Sequence, residues 1–237
     1  MRRFWIGVGL LVLVAGLVAG GGYKLAASRT LQVTGRLVAR LPTTDTVVAL
    51  TFDDGPTADD LEPVLTALRS RGVRATFYVN GAAVEQAPDA ARRLVAEGHE
   101  LGNHTWSHRR MVLVSQQTVA AEIEPTDAAI RQAGYQGPIT FRPPYGKKLL
   151  NLPLYLEQHH RTTVMWDVAV EDFSSRAAPQ SSEDLARETV AQTRPGSVIL
   201  LHPWHGRTAT QQAVGPVIDR LQAAGYRFVT VSEALPG

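Results

Sequence analysis

Short β-type runs alternate with helical patterns along most of this chain, and this alternation constrains the fold more than any other feature. The β-type runs are Val47–Thr51, Ala75–Val79, Ile139–Phe141, Thr163–Trp166, Val198–Leu201 and Arg227–Val231. The helical patterns are Asp59–Arg71, Ala82–Glu97, Gln116–Ala133, Glu183–Thr193 and Gln211–Ala224. Strands that alternate with helices favour a parallel sheet or barrel covered by helices. We therefore predict an α/β fold with its functional residues at the carboxyl ends of the strands.

The composition is that of one globular domain, and it limits the chemistry available. The chain has 237 residues, of which 44% are hydrophobic and 19% charged, enough for a single α/β barrel. The formal net charge is +2 and no run of like charges occurs, so nucleic acid is not a predicted partner. Because cysteine is absent, any bound metal would be held by His, Asp or Glu.

The amino terminus carries a candidate membrane segment, Phe4–Gly22, which is uncharged and follows Arg2 and Arg3. Its nineteen residues would reach about 28 Å as a helix, close to the ~30 Å hydrocarbon core of a bilayer. A cleaved signal peptide has an apolar region of about 7–15 residues. The length therefore favours an uncleaved anchor, although small residues up to Ser28 keep cleavage open. The arginine pair predicts a cytoplasmic amino terminus, with the rest of the chain outside.

The sequence accordingly predicts three parts. Residues 1–24 form a membrane anchor or signal segment, residues 25–45 form a stalk because no period is evident there, and residues 46–237 form the folded domain. We predict a single-pass protein of the cell (inner) membrane, with a lipid bilayer as partner and an extracytoplasmic domain. Cleavage of the first segment would make the domain a secreted protein.

Two adjacent carboxylates, Asp53 and Asp54, follow the β-type run that begins at Val47. At a strand end, neighbouring side chains point in different directions, so one carboxylate could bind a metal while the other faces a reacting water. Gly55 and Pro56 then turn the backbone. The alternative is a solvated turn whose two acids cap the following helix.

A histidine pair, His104 and His108, has a spacing that places both rings on one face of a helical turn, where they could chelate one cation. Together with one carboxylate, neutral imidazoles form a site that suits zinc, nickel, cobalt or iron. The alternative is a pair of surface histidines.

Two further polar positions follow apolar runs. Arg142 emerges from such a run and would need a carboxylate partner, for which Asp167, Glu171 and Asp172 are candidates. His202 follows the run that ends at residue 201, where an imidazole beside a metal could act as a general acid. A histidine at such a position is more often structural.

Taken in order, these segments resemble the polysaccharide deacetylases of the NodB-homology type, carbohydrate esterase family four. The resemblance covers roughly residues 47 to 231. The matching motifs are Thr51–Pro56 for the first, His104–His108 for the second, Arg142–Gly146 for the third and Leu200–His202 for the fifth. One such motif is weak evidence, whereas four in the family's order are specific.

Two motifs depart from the family's pattern. The fourth usually has tryptophan after its aspartate, and here Asp172 is followed by Phe173, which can still bind substrate as a flat apolar wall. We expect a shifted substrate preference there rather than lost chemistry. The fifth motif is followed by Pro203 and Trp204, where the family commonly has aspartate, so the local groove is expected to differ.

The resemblance implies a distorted, incomplete (β/α) barrel with a mononuclear metal site in a surface groove. It implies that Asp54, His104 and His108 hold a divalent cation, with Zn²⁺ the first expectation and Ni²⁺ or Co²⁺ also compatible. It further implies that Asp53 is the general base and that Leu200 lines a small pocket for the acetyl group.

The resemblance also implies roles for residues around this centre. The backbone N–H of Tyr145 would help to hold the oxyanion and contact the substrate, and His202 would protonate the departing amine. Arg142 would position Asp53, and Asp172 would steady that arrangement.

The function implied is removal of N-acetyl groups from an amino-sugar polymer outside the cytoplasm, with peptidoglycan N-acetylglucosamine, poly-N-acetylglucosamine and chitin-like oligomers as open alternatives. A catalytically silent glycan-binding module on the same fold is disfavoured because Asp53 and His202 are both present. A hydrolase of a carbon–nitrogen bond in a small molecule stays open. A scaffolding role would leave the ordered motifs unexplained.

Overall fold

The structure is a computed structural model that describes residue 16, residues 20–170 and residues 181–235. The strands are β1 (Leu37–Val38), β2 (Val47–Gly55), β3 (Thr76–Val79), β4 (Glu100–Asn103), β5 (Thr163–Val164), β6 (Val168–Ala169), β7 (Val198–Leu201) and β8 (Arg227–Phe228). The helices are α1 (Ala58–Arg69), α2 (Gly81–Gln86), α3 (Pro88–Ala96), α4 (Gln116–Gln132), α5 (Asn151–Gln158), α6 (Ser182–Gln192) and α7 (Thr208–Ala223). Residues 20–27 are also helical.

Parallel pairing connects the strands into two sheets. The larger sheet has the order β4-β3-β2-β7-β6, and β8 pairs with the first residues of β2. The smaller sheet pairs β1 with β5. Single bridges from Phe141 to Asn103 and to Thr163 connect the β4 edge of the larger sheet with β5. The predicted α/β class with parallel sheets is confirmed.

The central strand β2 is buried on both sides, as expected for a parallel strand covered by helices. On one side Leu50 and Phe52 pack into the main core with residues of α1 and α7. On the other side Val47 and Ala49 join a smaller cluster that includes Tyr78. Alternating side chains point to opposite faces of a strand, so β2 is held from both sides and its carboxyl end is fixed in place.

The elements differ from the sequence predictions at several points. The predicted helix Ala82–Glu97 is two helices, because Pro88 has no N–H to donate and instead begins a new helix at its first position. The run Ile139–Phe141 contributes only single bridges. Strand β4 was not predicted, because its sequence of four residues includes Glu100, Gly102 and Asn103 and lacks the usual β-type side chains.

Residues 25–45 differ from the predicted stalk. Strand β1, which lies in this segment, pairs with β5. Leu41 is buried, at 3% exposure. The backbone N–H of Lys148 donates to the carbonyl oxygen of Ala26 at 3.0 Å. No sequence period is evident there because β1 is only two residues long, too short to show an alternation of buried and exposed side chains.

No helix among residues 16, 20–170 and 181–235 is long and apolar enough to cross a bilayer. Most of the predicted membrane segment Phe4–Gly22 lies outside those residues. The anchor therefore stays a prediction from the sequence.

Candidate metal centre

The end of β2 directs its two carboxylates to different places. Asp53 still pairs with Tyr78 in the parallel ladder, and the register shifts between Asp53 and Gly55. Asp54 lies in this shift with a φ of 74°, a left-handed conformation that non-glycine residues seldom adopt. The irregularity places Asp53 in the interior, at 2% exposure, whereas the Asp54 side chain is 24% exposed.

Asp54, His104 and His108 come together into a group that can hold a metal ion. The Oδ1 atom of Asp54 is 3.4 Å from Nε2 of His104 and 3.1 Å from Nε2 of His108. The candidate ligand atoms all lie within 4.8 Å of one another. One carboxylate oxygen and two imidazole nitrogens are a donor set that suits zinc, nickel or cobalt.

A buried polar atom provides a test of whether the group fits a cation. Oδ1 of Asp54 is buried and makes no hydrogen bond of normal geometry to any described part of the chain. Such an atom costs free energy unless a ligand satisfies it. Because this oxygen faces both imidazoles, the residues present fit a divalent cation.

The protonation states also favour cation binding. Burial by itself raises the pKa of Asp54, but His104, His108 and His202 outweigh this effect and hold its pKa well below the usual range. Burial lowers the pKa of His108, and the neighbouring His104 lowers it further. Both shifts favour the deprotonated forms of carboxylate and imidazole, which are the forms that bind a metal ion.

A backbone carbonyl orients the ring of His104. Its Nδ1 atom lies 2.8 Å from the carbonyl oxygen of Arg142, so this nitrogen carries the proton and donates it. The other nitrogen, Nε2, is thereby left as the one that faces Asp54. Metal-binding histidines are commonly fixed in this way by a partner on the far side of the ring.

The histidine pair is not on a helical turn, and that interpretation of the spacing was wrong. The backbone N–H of His104 donates to the carbonyl of Val79 at 2.9 Å and so continues the β3–β4 ladder. The chain then reverses in a loop in which Thr105 and His108 have φ values of 68° and 58°. The loop, rather than helical periodicity, brings the second imidazole back to Asp54.

Glu122, which was not predicted, fastens this loop to α4. Its carboxylate accepts hydrogen bonds from the backbone N–H of Ser107 at 2.9 Å and from its hydroxyl at 2.7 Å. Asn103 accepts from the N–H of Thr105 at 2.8 Å. The helical pattern of the sequence places Glu122 on α4. It does not indicate that the side chain contacts Ser107, fifteen residues earlier in the chain.

Asp53 is the carboxylate partner of Arg142. The guanidinium is fully buried, and its Nη1 donates to Oδ1 of Asp53 at 2.7 Å and to the hydroxyl of Thr51 at 2.8 Å. Its other nitrogens donate to the carbonyls of Val164 and Met165. The second oxygen of Asp53, Oδ2, lies 3.6 Å from Nε2 of His104 and so faces the candidate metal centre.

The sequence left other partners for Arg142 open. Asp167 instead accepts from the hydroxyl of Ser197 at 3.0 Å and from the N–H of Val198 at 2.8 Å. Glu171 and Asp172 lie outside the described residues, and so does Phe173. The predicted contribution of Asp172 to the Arg142–Asp53 pair and that of Phe173 to substrate binding therefore stay predictions.

A pocket of about 350 Å³ collects most of the predicted site residues. Its lining residues are Asp53, Asp54, His104, His108, Tyr145, Trp166, Leu200, His202 and Arg207. The ring of Tyr145 is 4.6 Å from that of His108, and this residue has a φ of 58° within the short turn Pro144–Gly146. Arg142 does not line the pocket itself but contacts the lining residue Asp53.

Trp166 and Arg207 were not predicted to line this pocket. The position of Trp166 at the end of a β-type run was an available signal, because the ends of parallel strands share one edge of the sheet. Arg207 lies at the start of α7, beyond the fifth motif, and nothing in its local pattern indicates the pocket.

Parallel strands that end in an aspartate–histidine–histidine group beside a second, buried carboxylate define a candidate metal-dependent hydrolase. Residues 40–164 match the family model for polysaccharide deacetylase. The chain belongs to this family, and the resemblance predicted from its motifs is confirmed.

Known proteins of this family resemble the chain over most of its length. The peptidoglycan-N-acetylglucosamine deacetylase PgdA of Listeria monocytogenes is 35% identical over 187 residues, which are 78% of this chain and 38% of that protein. This chain therefore spans well under half of that relative. A peptidoglycan-N-acetylglucosamine deacetylase of Bacillus cereus is 31% identical over 210 residues, which are 87% of this chain and 96% of that protein.

The fold also matches a solved structure. A peptidoglycan N-acetylglucosamine deacetylase, crystallised with 4-naphthalen-1-yl-N-oxidanyl-benzamide, superposes with a TM-score of 0.77 at 32% identity. The match covers 83% of this chain and 91% of the other. The parallel α/β architecture is therefore that of a deacetylase of this family.

Replacing Arg142 with Met should destabilise the fold strongly, because Asp53 would be left buried without its cation. We expect the free energy of unfolding to fall by about 3–5 kcal/mol, measured by urea titration followed by tryptophan fluorescence. Arg187→Met is the matched control, since Arg187 pairs with Asp184 at the surface and should contribute at most about 1 kcal/mol. Equal losses in the two variants would contradict the importance of the buried pair.

Proposed function

We propose that this chain is a metal-dependent deacetylase that removes N-acetyl groups from an amino-sugar polymer. The observation that carries the proposal is the convergence of Asp54, His104 and His108, whose candidate ligand atoms lie within 4.8 Å of one another. The Oδ2 atom of Asp53 faces the same centre. We further propose that the parallel sheets form the distorted, incomplete barrel of the NodB type. The catalytic domain then comprises the predicted residues 46–237 together with the preceding segment that contains β1, because β1 pairs with β5.

The three ligands hold one divalent cation, with zinc preferred and nickel or cobalt also accepted by the same donors. A cation held there would supply Lewis-acid chemistry, polarising the acetyl carbonyl and making a nearby water easier to deprotonate. Asp53 takes a proton from the attacking water at Oδ2. Its Oδ1 atom accepts a hydrogen bond from Arg142, which fixes the orientation of the carboxylate and leaves Oδ2 facing the pocket.

Leu200, Tyr145 and His202, which also line the pocket, take the remaining roles in the proposed reaction. Leu200 lines the subsite for the acetyl methyl group, and the backbone N–H of Tyr145 donates to the carbonyl oxygen as negative charge develops on it. His202 donates a proton to the nitrogen as the carbon–nitrogen bond breaks. The products are acetate and a free amino sugar, and no covalent bond to the protein forms.

Peptidoglycan is the glycan that we favour as substrate. The Listeria and Bacillus relatives are both named as peptidoglycan-N-acetylglucosamine deacetylases. Poly-N-acetylglucosamine and chitin-like oligomers are the alternatives, and an amide in a small molecule is the rival substrate of another class. We also propose, from the Phe4–Gly22 segment alone, that the domain is held outside the cytoplasm at the membrane.

Asp53→Asn should keep the metal but lower the rate of acetate release by about 10²–10⁴-fold, because an amide cannot take the proton from water. His104→Ala should lose metal as well as activity. Metal content by inductively coupled plasma mass spectrometry, together with acetate release, separates the two effects. His159→Ala, at an exposed histidine, is the control and should change neither. Turnover of Asp53→Asn near that of the unchanged protein would refute the role of Asp53.

The substrate class is tested by acetate release from peptidoglycan, poly-N-acetylglucosamine and chitin oligomers. The assay compares protein stripped of metal by a chelator with the same protein after zinc is restored. We expect release from peptidoglycan, its loss on stripping and its recovery with zinc. Release from none of the three polymers would favour the silent glycan-binding module or the small-molecule hydrolase.

A further inference from the structure

An apolar cavity of about 680 Å³ lies where the folded domain meets the amino-terminal segment. One wall is formed by the helical residues 20–27, and the other by two loops that follow β4 and the Pro144–Gly146 turn. The lining residues are Gly22, Tyr23, Leu25, Ala26, Arg110, Val112, Leu113, Lys147, Leu149 and Leu150. We call this set the exit surface, because the predicted membrane segment ends at Gly22.

The exit surface exposes large apolar side chains to an unusual degree. Leu113 is 83% exposed, Tyr23 is 69% exposed and Leu150 is 56% exposed. Single exposed leucines are ordinary, but apolar groups gathered around one cavity mark a contact surface. Leu113 and Leu150 have φ values of 54° and 48°, in the left-handed region that bulky residues rarely occupy. Two loops therefore present leucine at strained positions.

The amino-terminal segment has a fixed position relative to this surface. The backbone N–H of Lys148 donates to the carbonyl of Ala26 at 3.0 Å, and its Nζ atom donates to the carbonyl of Ser28 at 2.5 Å. Lys148 is only 1% exposed. These contacts attach residues 26–28 to the rest of the folded domain. Gly22, the last residue of the uncharged Phe4–Gly22 stretch, lines the cavity.

Basic residues accompany the apolar ones. The Nζ atom of Lys147 lies 4.6 Å from the centre of the Tyr23 ring, and Lys24 is exposed beside it. Arg110 is also exposed, with its guanidinium 5.0 Å from the centre of the Tyr145 ring. Leucine and tyrosine with basic neighbours are the composition of surfaces that enter the interface of a bilayer containing anionic lipids.

We propose that the exit surface rests on the lipid bilayer from which the Phe4–Gly22 segment emerges. Tyr23, Leu113 and Leu150 enter the interface, and the nearby basic side chains face anionic headgroups. The bilayer is the occupant because a membrane segment that ends at Gly22 would hold this surface against it. The proposal rests on the predicted anchor and not on the deacetylase activity.

The arrangement has a consequence for the metal pocket. Arg110 lines the exit surface and also contacts Tyr145, which lines the metal pocket. The metal pocket therefore lies next to the exit surface, and under this proposal the enzyme would reach glycan close to the membrane.

The test uses the complete chain in vesicles of phosphatidylcholine and phosphatidylglycerol. Because the chain has no cysteine, Leu113→Cys and Leu150→Cys each accept a single environment-sensitive fluorophore. Ala223→Cys is the control, because Ala223 is exposed near the end of α7 and does not line the exit surface. Quenching by lipids that carry a nitroxide on the acyl chain reports contact with the bilayer.

We expect the fluorophores at positions 113 and 150 to be quenched several-fold more strongly than the one at position 223. Equal quenching at all three positions, or failure of the protein to float with the vesicles, would overturn the proposal. Shielding from water without lipid quenching would indicate a second protein molecule as the occupant and would also overturn it. Acetate release by the same labelled proteins in detergent separates loss of enzymatic activity from loss of membrane contact.

Discussion

Arg142 and Asp53 form an ion pair in the interior, where neither side chain is more than 3% exposed. Such a pair is tolerated only when additional hydrogen bonds satisfy both groups, and the guanidinium has such bonds to Thr51, Val164 and Met165. The carbonyl of the same arginine orients His104. One residue therefore directs both the proposed base and a proposed metal ligand, so the two cannot shift independently.

Backbone conformation is the second constraint on the site. Asp54, His108 and Tyr145 all have φ values between 58° and 74°, although none is glycine. Each such residue costs free energy that the surrounding structure must offset, and this kind of strain concentrates at functional sites. Here the buried strands β2 and β4 and the Glu122 contact hold the chain in place. These left-handed backbone conformations bring the side chains of Asp54 and His108 together at the candidate metal centre.

The sequence predicted the α/β class and the family, because strand ends and ordered motifs are local features. Local pattern could not choose the partner of Arg142, since Asp53 lies 89 positions away. Only the family resemblance pointed to Asp53, and the fold brings the two side chains together. The helical interpretation of His104 and His108 failed because the same spacing also fits a loop closed by left-handed residues. The packing of Leu41 and the pocket position of Arg207 likewise depend on tertiary contacts without a local pattern.

The most direct test of the account is X-ray absorption at the zinc edge on the purified protein. Metal analysis of the same sample should give one ion per chain, and the spectrum should show two imidazole nitrogens at about 2.0–2.1 Å with oxygen in the same shell. In Asp54→Ala the protein-derived oxygen should be lost while the imidazole signal weakens. Stoichiometric zinc with an unchanged first shell in that variant would contradict the proposed centre.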